Sequence, residues 1–137
     1  MNLLPQQIDE LIGAARKAAA NAYCRYSKFA VGAAVMTSDG TLFSGCNVEN
    51  ASYGLTICAE RVAITQAVSK GHRSLAAIAI VGGTDSPAYP CGACLQVMSE
   101  FCERHMPVYL ASLEGKEIQS LKFNELLPLA FDLSEQN

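Results

Sequence analysis

Cys58, Glu60, Cys91 and Cys94 are the residues of this chain whose types and spacing can do chemistry. They stand in two short stretches, Thr56-Ile57-Cys58-Ala59-Glu60-Arg61 and Pro90-Cys91-Gly92-Ala93-Cys94. Three thiolates are soft ligands that suit zinc, and three protein ligands leave a fourth position open, the feature that separates catalytic from structural zinc. Glu60, two residues beyond the first cysteine, is then free to move protons. Cys91 and Cys94, three apart, share one helix face and can chelate together. Residues two apart on a regular helix do not face each other. Cys58 and Glu60 therefore reach one metal-bound water only if Cys58 lies at the entrance of its helix.

Charge adds a further requirement. Three thiolates around Zn²⁺ leave a negative centre, which is a poor Lewis acid. Both motifs sit where a loop meets the start of a helix, and each helix N-terminus contributes roughly half a positive charge. Arg61 adds a full positive charge and hydrogen bonds to the thiolates, so it reads as the partner that tunes the zinc. The competing readings are plainer. A lone C-x-x-C is often redox-active, or half of a four-cysteine structural site. No second C-x-x-C exists here, so a structural site would have to recruit a stray cysteine or histidine. His72 and His105, the only histidines, sit near predicted helix ends and read as surface residues. Cys24, Cys46 and Cys102 stand alone and read as small buried hydrophobes or incidental thiols, with no role. Glu60 by itself would be an ordinary solvated helix residue; beside the cysteines it becomes a proton carrier.

The elements that must position these groups follow from the apolar pattern. Pro5 can open a helix, with Ile8, Leu11, Ile12 and Ala15 at helical spacing, that runs to about Tyr23. Residues 30–36 and 41–45 read as strands joined by Ser38-Asp39-Gly40, a hairpin signal. Residues 47–55 form a polar loop. A helix over residues 57–70 is stopped by Gly71. Residues 75–81 are a continuous apolar run, the mark of a strand covered on both faces. Pro90 starts another helix, whose stripe of Cys94, Val97, Met98, Phe101 and Cys102 extends until Pro107 breaks it. A strand over 108–111, an edge strand over 117–121 and a helical turn over 124–127 complete the chain. The order predicts an α/β fold: a three-layer α/β/α sandwich on a mixed sheet of about five strands with a leading β-hairpin.

The bulk numbers bound the rest. A chain of 137 residues is expected to form one catalytic domain over 1–137. Half its residues are apolar and 17% are charged, against roughly 25% in an average soluble domain, which points to a homo-oligomer that covers apolar surface. The net charge of −3 and pI near 5.3 argue against a stable nucleic-acid partner. No apolar run is long enough for a transmembrane helix, so no membrane partner is expected. Asp9 and Glu10 precede any apolar run, so no secretory signal is expected. Six cysteines then fit reduced thiols in a cytoplasm better than a disulfide framework.

The two motifs, together with residues 26–34 (Tyr26-Ser27-Lys28-Phe29 onward), Asn47-Val48-Glu49-Asn50-Ala51-Ser52-Tyr53-Gly54, Leu95-Gln96 and Glu125-Leu126-Leu127-Pro128, resemble the short, homotetrameric, zinc-dependent type of cytidine deaminase. The likeness spans about residues 5 to 131. It implies a cytidine deaminase-like fold and one zinc per subunit on Cys58, Cys91 and Cys94. The activated water would attack C4 of the pyrimidine, while Glu60 takes its proton and delivers protons to N3 and the departing ammonia. The backbone N–H of Ala59 would meet O2 of the base, and the carbonyl of Tyr89 its amino group. Phe29 would stack on the ring, although core packing at the start of a strand is an equal reading. Asn47 and Glu49, alternating on an extended segment, would hold the ribose 3′-hydroxyl. Ala51, Tyr53 and Phe131 would reach a neighbouring subunit's pocket. Leu95 stands where arginine is frequent, leaving Arg61 the main cation near the thiolates, and Tyr89 stands where serine or threonine is frequent. The implied reaction is hydrolytic deamination of cytidine and 2′-deoxycytidine to uridine and 2′-deoxyuridine, within pyrimidine salvage. The rivals are a deaminase of a related aminonucleoside, which the sugar residues oppose, an RNA-editing enzyme, which the acidic balance opposes, and a non-catalytic zinc-stabilised binding module, which has no use for Glu60.

Overall fold

A computed structural model describes residues 3–136; Met1, Asn2 and Asn137, the ends of the expected domain, lie outside the described residues. Pro5 occupies the first turn of α1 (Pro5–Ala19), where a missing N–H breaks no bond, and Leu11, Ile12, Ala15 and Ala19 make its buried stripe. The helix stops a turn short of the expected Tyr23. Tyr23 pairs instead with the segment around Val48: its N–H donates to the Asn47 carbonyl (2.9 Å) and its carbonyl accepts from Glu49 N–H (2.8 Å). Tertiary pairing overrides the helix propensity of the alanine run.

Five strands form one mixed sheet in the order β2-β1-β3-β4-β5. β1 (Val31–Thr37) and β2 (Leu42–Cys46) are the expected hairpin, turning at Gly40 with φ +89°. β3 (Leu75–Gly82) lies antiparallel to β1 and parallel to β4 (Pro107–Ala111), and β5 (Ile118–Lys122) closes the edge antiparallel to β4. Alternation along the strands sorts the core into two layers. Ala34, Met36, Ala77, Ala79 and Val81 face α1; Ala33, Val35, Ile78, Ile80 and Leu110 face the other side, against α2 (Ala59–Ser69) and α3 (Gly92–Ser99). The three-layer α/β/α sandwich is therefore as expected. The edge strand and helical turn near the end are present too, the latter as α4 (Phe123–Leu126), with α5 (Leu133–Gln136) after it. No helix among the described residues is long and apolar enough to cross a membrane.

The side of the sheet beneath α1 is lined by small residues for a steric reason. A Cβ at Gly32 would run into the Ala15 carbonyl oxygen and stand 2.6 Å from Ala19 N. Gly32→Ala is thus expected to destabilise the fold by about 1–3 kcal/mol through overpacking against α1. A denaturant midpoint equal to wild type would contradict that close approach.

The bounds of α2 and α3 set where the cysteines stand. α2 starts two residues later than expected, which places Cys58 at its N-cap with extended φ −75° and ψ 153°. It ends on Gly71 (φ +94°), with His72 N–H bonded to the Ala67 carbonyl at 3.0 Å and Gly71 N–H to that of Val68 at 2.9 Å, the pairing of a left-handed cap. α3 is shorter than its apolar stripe suggested. It stops at Ser99 because the Phe101 carbonyl leaves the helix to accept Leu75 N–H (2.9 Å) at the start of β3.

Candidate active site

The N-termini of α2 and α3 carry the cysteines. Cys58 caps α2, Cys91 caps α3 with extended φ −77° and ψ 168°, and Cys94 lies in the first turn of α3. The helix-entrance geometry required of Cys58 is met. The Cys58 and Cys91 Sγ atoms are 3.9 Å apart, those of Cys91 and Cys94 3.5 Å, and all three lie within 4.8 Å of one another. A tetrahedral zinc with sulfur at about 2.3 Å has ligand–ligand edges of roughly 3.8 Å. The three thiols therefore fit one zinc, and among the described residues they are the only such trio of potential ligands. Cys94 is buried and Cys91 exposed, and Cys58 and Cys91 border a cavity of about 270 Å³. The remaining cysteines are free and half-buried, closer to incidental thiols than to core hydrophobes. His72 is paired with Asp39 at 3.5 Å, away from the cluster.

The electrostatics match the charge argument. Arg61 Nη2 donates to Cys58 Sγ at 3.6 Å. A hydrogen bond from Cys94, then those of Arg61 and Cys91, bring the Cys58 thiol down to about 5, outweighing burial. Cys94 is pushed up, first by its bond to Cys58, then by burial and the nearby Glu60 carboxylate. Thiols must lose their protons to hold zinc, so metal uptake expels protons and binding tightens as pH rises. Glu60, in the first turn of α2 and 4% exposed, has its carboxyl pushed up mainly by burial, with the Cys58 charge adding to it. A carboxyl perturbed by burial at the wall of a cleft is a candidate for proton transfer.

Phe29, Asn47 and Glu49 line the same cavity. Phe29 is 44% exposed and belongs to neither core cluster, so of its two readings core packing is overturned. Asn47 is buried with both ends of its amide engaged: Oδ1 accepts Val31 N–H at 2.9 Å and Nδ2 donates to the Phe29 carbonyl at 2.8 Å. Asn47→Ala should cost about 1–3 kcal/mol in a denaturant series by leaving those backbone groups unpaired. A stability unchanged from wild type would contradict this bracing. Glu49 Oε1 accepts Tyr26 N–H at 3.0 Å and Ser27 N–H at 3.1 Å, and Oε2 accepts the Ser27 hydroxyl. These bonds, the Ser27 hydroxyl foremost, hold its carboxyl below the usual carboxylate range. They brace a turn in which Lys28 sits at φ 61°, a left-handed conformation costing about 1–2 kcal/mol for a residue with a Cβ.

Residues 5–110 match the family described as the cytidine and deoxycytidylate deaminase zinc-binding region. The chain belongs to that family. The resemblance read from the motifs is borne out along most of the chain. The cytidine deaminase of Sporosarcina psychrophila is 51% identical over 124 residues, 90% of each chain. That of Halalkalibacterium halodurans is 50% identical over 127 residues, 93% of this chain and 96% of the relative. The crystal structure of a cytidine deaminase from Burkholderia pseudomallei aligns with a TM-score of 0.84 at 50% identity, covering 90% of this chain and 98% of that one. A Bacillus anthracis cytidine deaminase at 16% identity and a TM-score of 0.67 shares the fold. This member of the deaminase family is an enzyme that hydrolyses a C–N bond, and its cofactor is zinc.

In this deaminase the remaining expected residues fall in two groups. Ala59, fully buried, and Tyr89 border the cavity with Glu60. As the first residue of α2, Ala59 has an N–H with no acceptor inside the helix. The Tyr89 hydroxyl is tethered 3.2 Å from Gln119 Oε1 on β5. Ala51, Tyr53 and Phe131 are exposed and border other surfaces; the Phe131 carbonyl accepts from Gln96 Nε2 at 3.1 Å. Leu95 packs into the core. The structure adds Ser27, Thr56 and Ala88 to the cavity wall. Ser27 had a signal in the sequence, a serine in a polar turn just before Phe29, where hydroxyls commonly bond the backbone.

Proposed function

We propose that this deaminase converts cytidine and 2′-deoxycytidine to uridine and 2′-deoxyuridine with release of ammonia. The observation that carries this reading is the single cavity of about 270 Å³ shared by Cys58, Cys91, Glu60, Phe29, Asn47 and Glu49. Proton-handling chemistry and sugar-type hydrogen bonding thus meet in one space.

In this reading Cys58, Cys91 and Cys94 hold the zinc, which when bound supplies Lewis-acid activation of water. Glu60 takes the two protons of the attacking water in turn. The first goes to N3 as the C4–O bond forms by addition across C4=N3; the second goes to the amino nitrogen as the C4–N bond breaks, so that the amino group leaves as ammonia and C4 is left as a carbonyl. Ala59 N–H donates to O2, the Tyr89 carbonyl accepts from the amino group, and the Phe29 ring stacks on the base. Asn47 and Glu49 hold the ribose 3′-hydroxyl, which favours a nucleoside over an aminonucleoside altered at the sugar. Arg61, bonded to Cys58, offsets the negative charge of the thiolates. Arg61→Ala is expected to lower zinc affinity or turnover by about 10–100-fold; both unchanged would remove that role.

The chain works in this reading as a cytoplasmic homotetramer serving pyrimidine salvage. Tyr53, at 76% exposed, and Phe131, at 61%, are large apolar side chains that solvent would not favour, and with Ala51 they complete a neighbour's pocket. The test is loss of cytidine absorbance by the zinc-loaded protein, with one ammonia released per nucleoside. Turnover of no free nucleoside at all would overturn the proposal and favour a binding module.

A further inference from the structure

Ser27 has no part in the reaction as proposed, yet its hydroxyl joins two residues that do. It donates to Glu49 Oε2 and accepts the Phe29 N–H at 3.0 Å. Its one hydrogen goes to the carboxylate and its lone pair to the amide, so a continuous chain runs from Phe29 N–H through Ser27 Oγ to Glu49. The far side of the same residue is held by Asn47, whose Nδ2 donates to the Phe29 carbonyl at 2.8 Å. The Phe29 backbone is therefore gripped at both ends by groups tied to the proposed sugar residues. Ser27, Phe29 and Glu49 all border the cavity.

We infer that Ser27 is a positioning residue that couples recognition of a sugar hydroxyl at Glu49 to the placement of the Phe29 ring. The inference rests on the proposed sugar-holding role of Glu49. A carboxylate offers about four lone-pair sites. Tyr26 and Ser27 N–H groups fill those of Oε1, and the Ser27 hydroxyl takes one on Oε2. The remaining site is on Oε2 itself, so an incoming hydroxyl shares its acceptor with Ser27. Bonds in such a chain polarise one another, and a change at Oε2 reaches the Phe29 amide through one atom. Loss of the Ser27 hydroxyl frees that amide and leaves the ring less well aimed, while the thiols and Glu60 are untouched.

The test compares wild type, Ser27→Ala and Ser27→Thr, zinc-loaded, on cytidine and 3′-deoxycytidine, together with amide hydrogen exchange over residues 26–29. Ser27→Ala is expected to raise KM for cytidine by about 3- to 10-fold, the loss of one hydrogen bond, with kcat little changed and faster exchange at Phe29. Its preference for cytidine over 3′-deoxycytidine should shrink by about threefold or more relative to wild type, and Ser27→Thr should restore both. Equal losses on the two substrates without rescue by threonine would mean a merely structural residue and overturn the inference. So would an unchanged KM and preference in Ser27→Ala. If wild type itself treats the two substrates alike, the sugar-holding reading of Glu49 fails and the coupling with it. If wild type turns over neither, the proposed reaction fails. The wild-type results thus separate those failures from a failure confined to Ser27.

Discussion

Glu60→Gln is expected to retain a full complement of zinc while losing turnover by about 10²–10⁴-fold, the usual worth of a positioned acid–base group. Glutamine keeps the volume and some of the hydrogen bonding of a side chain that is 4% exposed, so the surrounding packing need not move. The three thiols are unaltered. What disappears is the ability to accept a proton from water and pass it to the leaving amino group. Glu60 is also a buried carboxyl beside the Cys58 thiolate, an arrangement that costs stability. The variant should therefore unfold at a temperature equal to or above wild type. Metal content, kcat and Tm measured on one preparation check all three. Full activity in the variant would remove Glu60 from the chemistry.

The second large effect is expected at the metal. Cys94→Ala should weaken zinc binding by more than about 100-fold, beyond the 10–100-fold typical of merely outer partners of a metal site. It should abolish turnover in step. Cys94 is fully buried and within 3.5 Å of Cys91 Sγ, and no other cysteine or histidine among the described residues joins the cluster. Cys102→Ala is the matched control. Its thiol is pushed up to about 12 by burial and lies outside the cluster, so that variant should keep both zinc and activity. Competition with a chromogenic chelator measures the affinities. Zinc retained in Cys94→Ala but lost in Cys102→Ala would mean that the site is built differently.

The cysteine site is legible in the sequence because its constraints are local. C-x-x-C places two ligands on one face, and the two-residue step from Cys58 to Glu60 can be satisfied only at a helix entrance, where Cys58 is found. The sheet is legible for similar reasons, from the Asp39-Gly40 turn and the apolar run that forms β3. What stays hidden depends on partners far along the chain. The ends of α1 and α3 are set by Tyr23 pairing near Val48 and by Phe101 pairing with Leu75. Neither is visible to a helical pattern that continues through both points. The stripe is helical up to Met98, while Phe101 and Cys102 pack against the same core from beyond the end of α3.

The remainder of the cavity lining shows the same division. Asn47 and Glu49 can be named from a motif, but their bonds to residues 26–31 span 16 to 23 positions, so their bracing of that segment shows only in the folded chain. Phe29 reads equally well as a core residue until its exposure takes it out of the core. Ser27 reads as part of a turn and gains a purpose only once its two partners are known. Short-range chemistry is written in spacing, whereas long-range hydrogen bonding is written in the fold.

X-ray absorption at the zinc edge of the wild-type protein tests the central claim most directly, because it counts the ligands that define an open zinc site. Three sulfur neighbours at about 2.3 Å and one lighter neighbour are expected from Cys58, Cys91 and Cys94 with the fourth position left for the reaction. Four sulfur neighbours, the signature of a closed structural site, would contradict it.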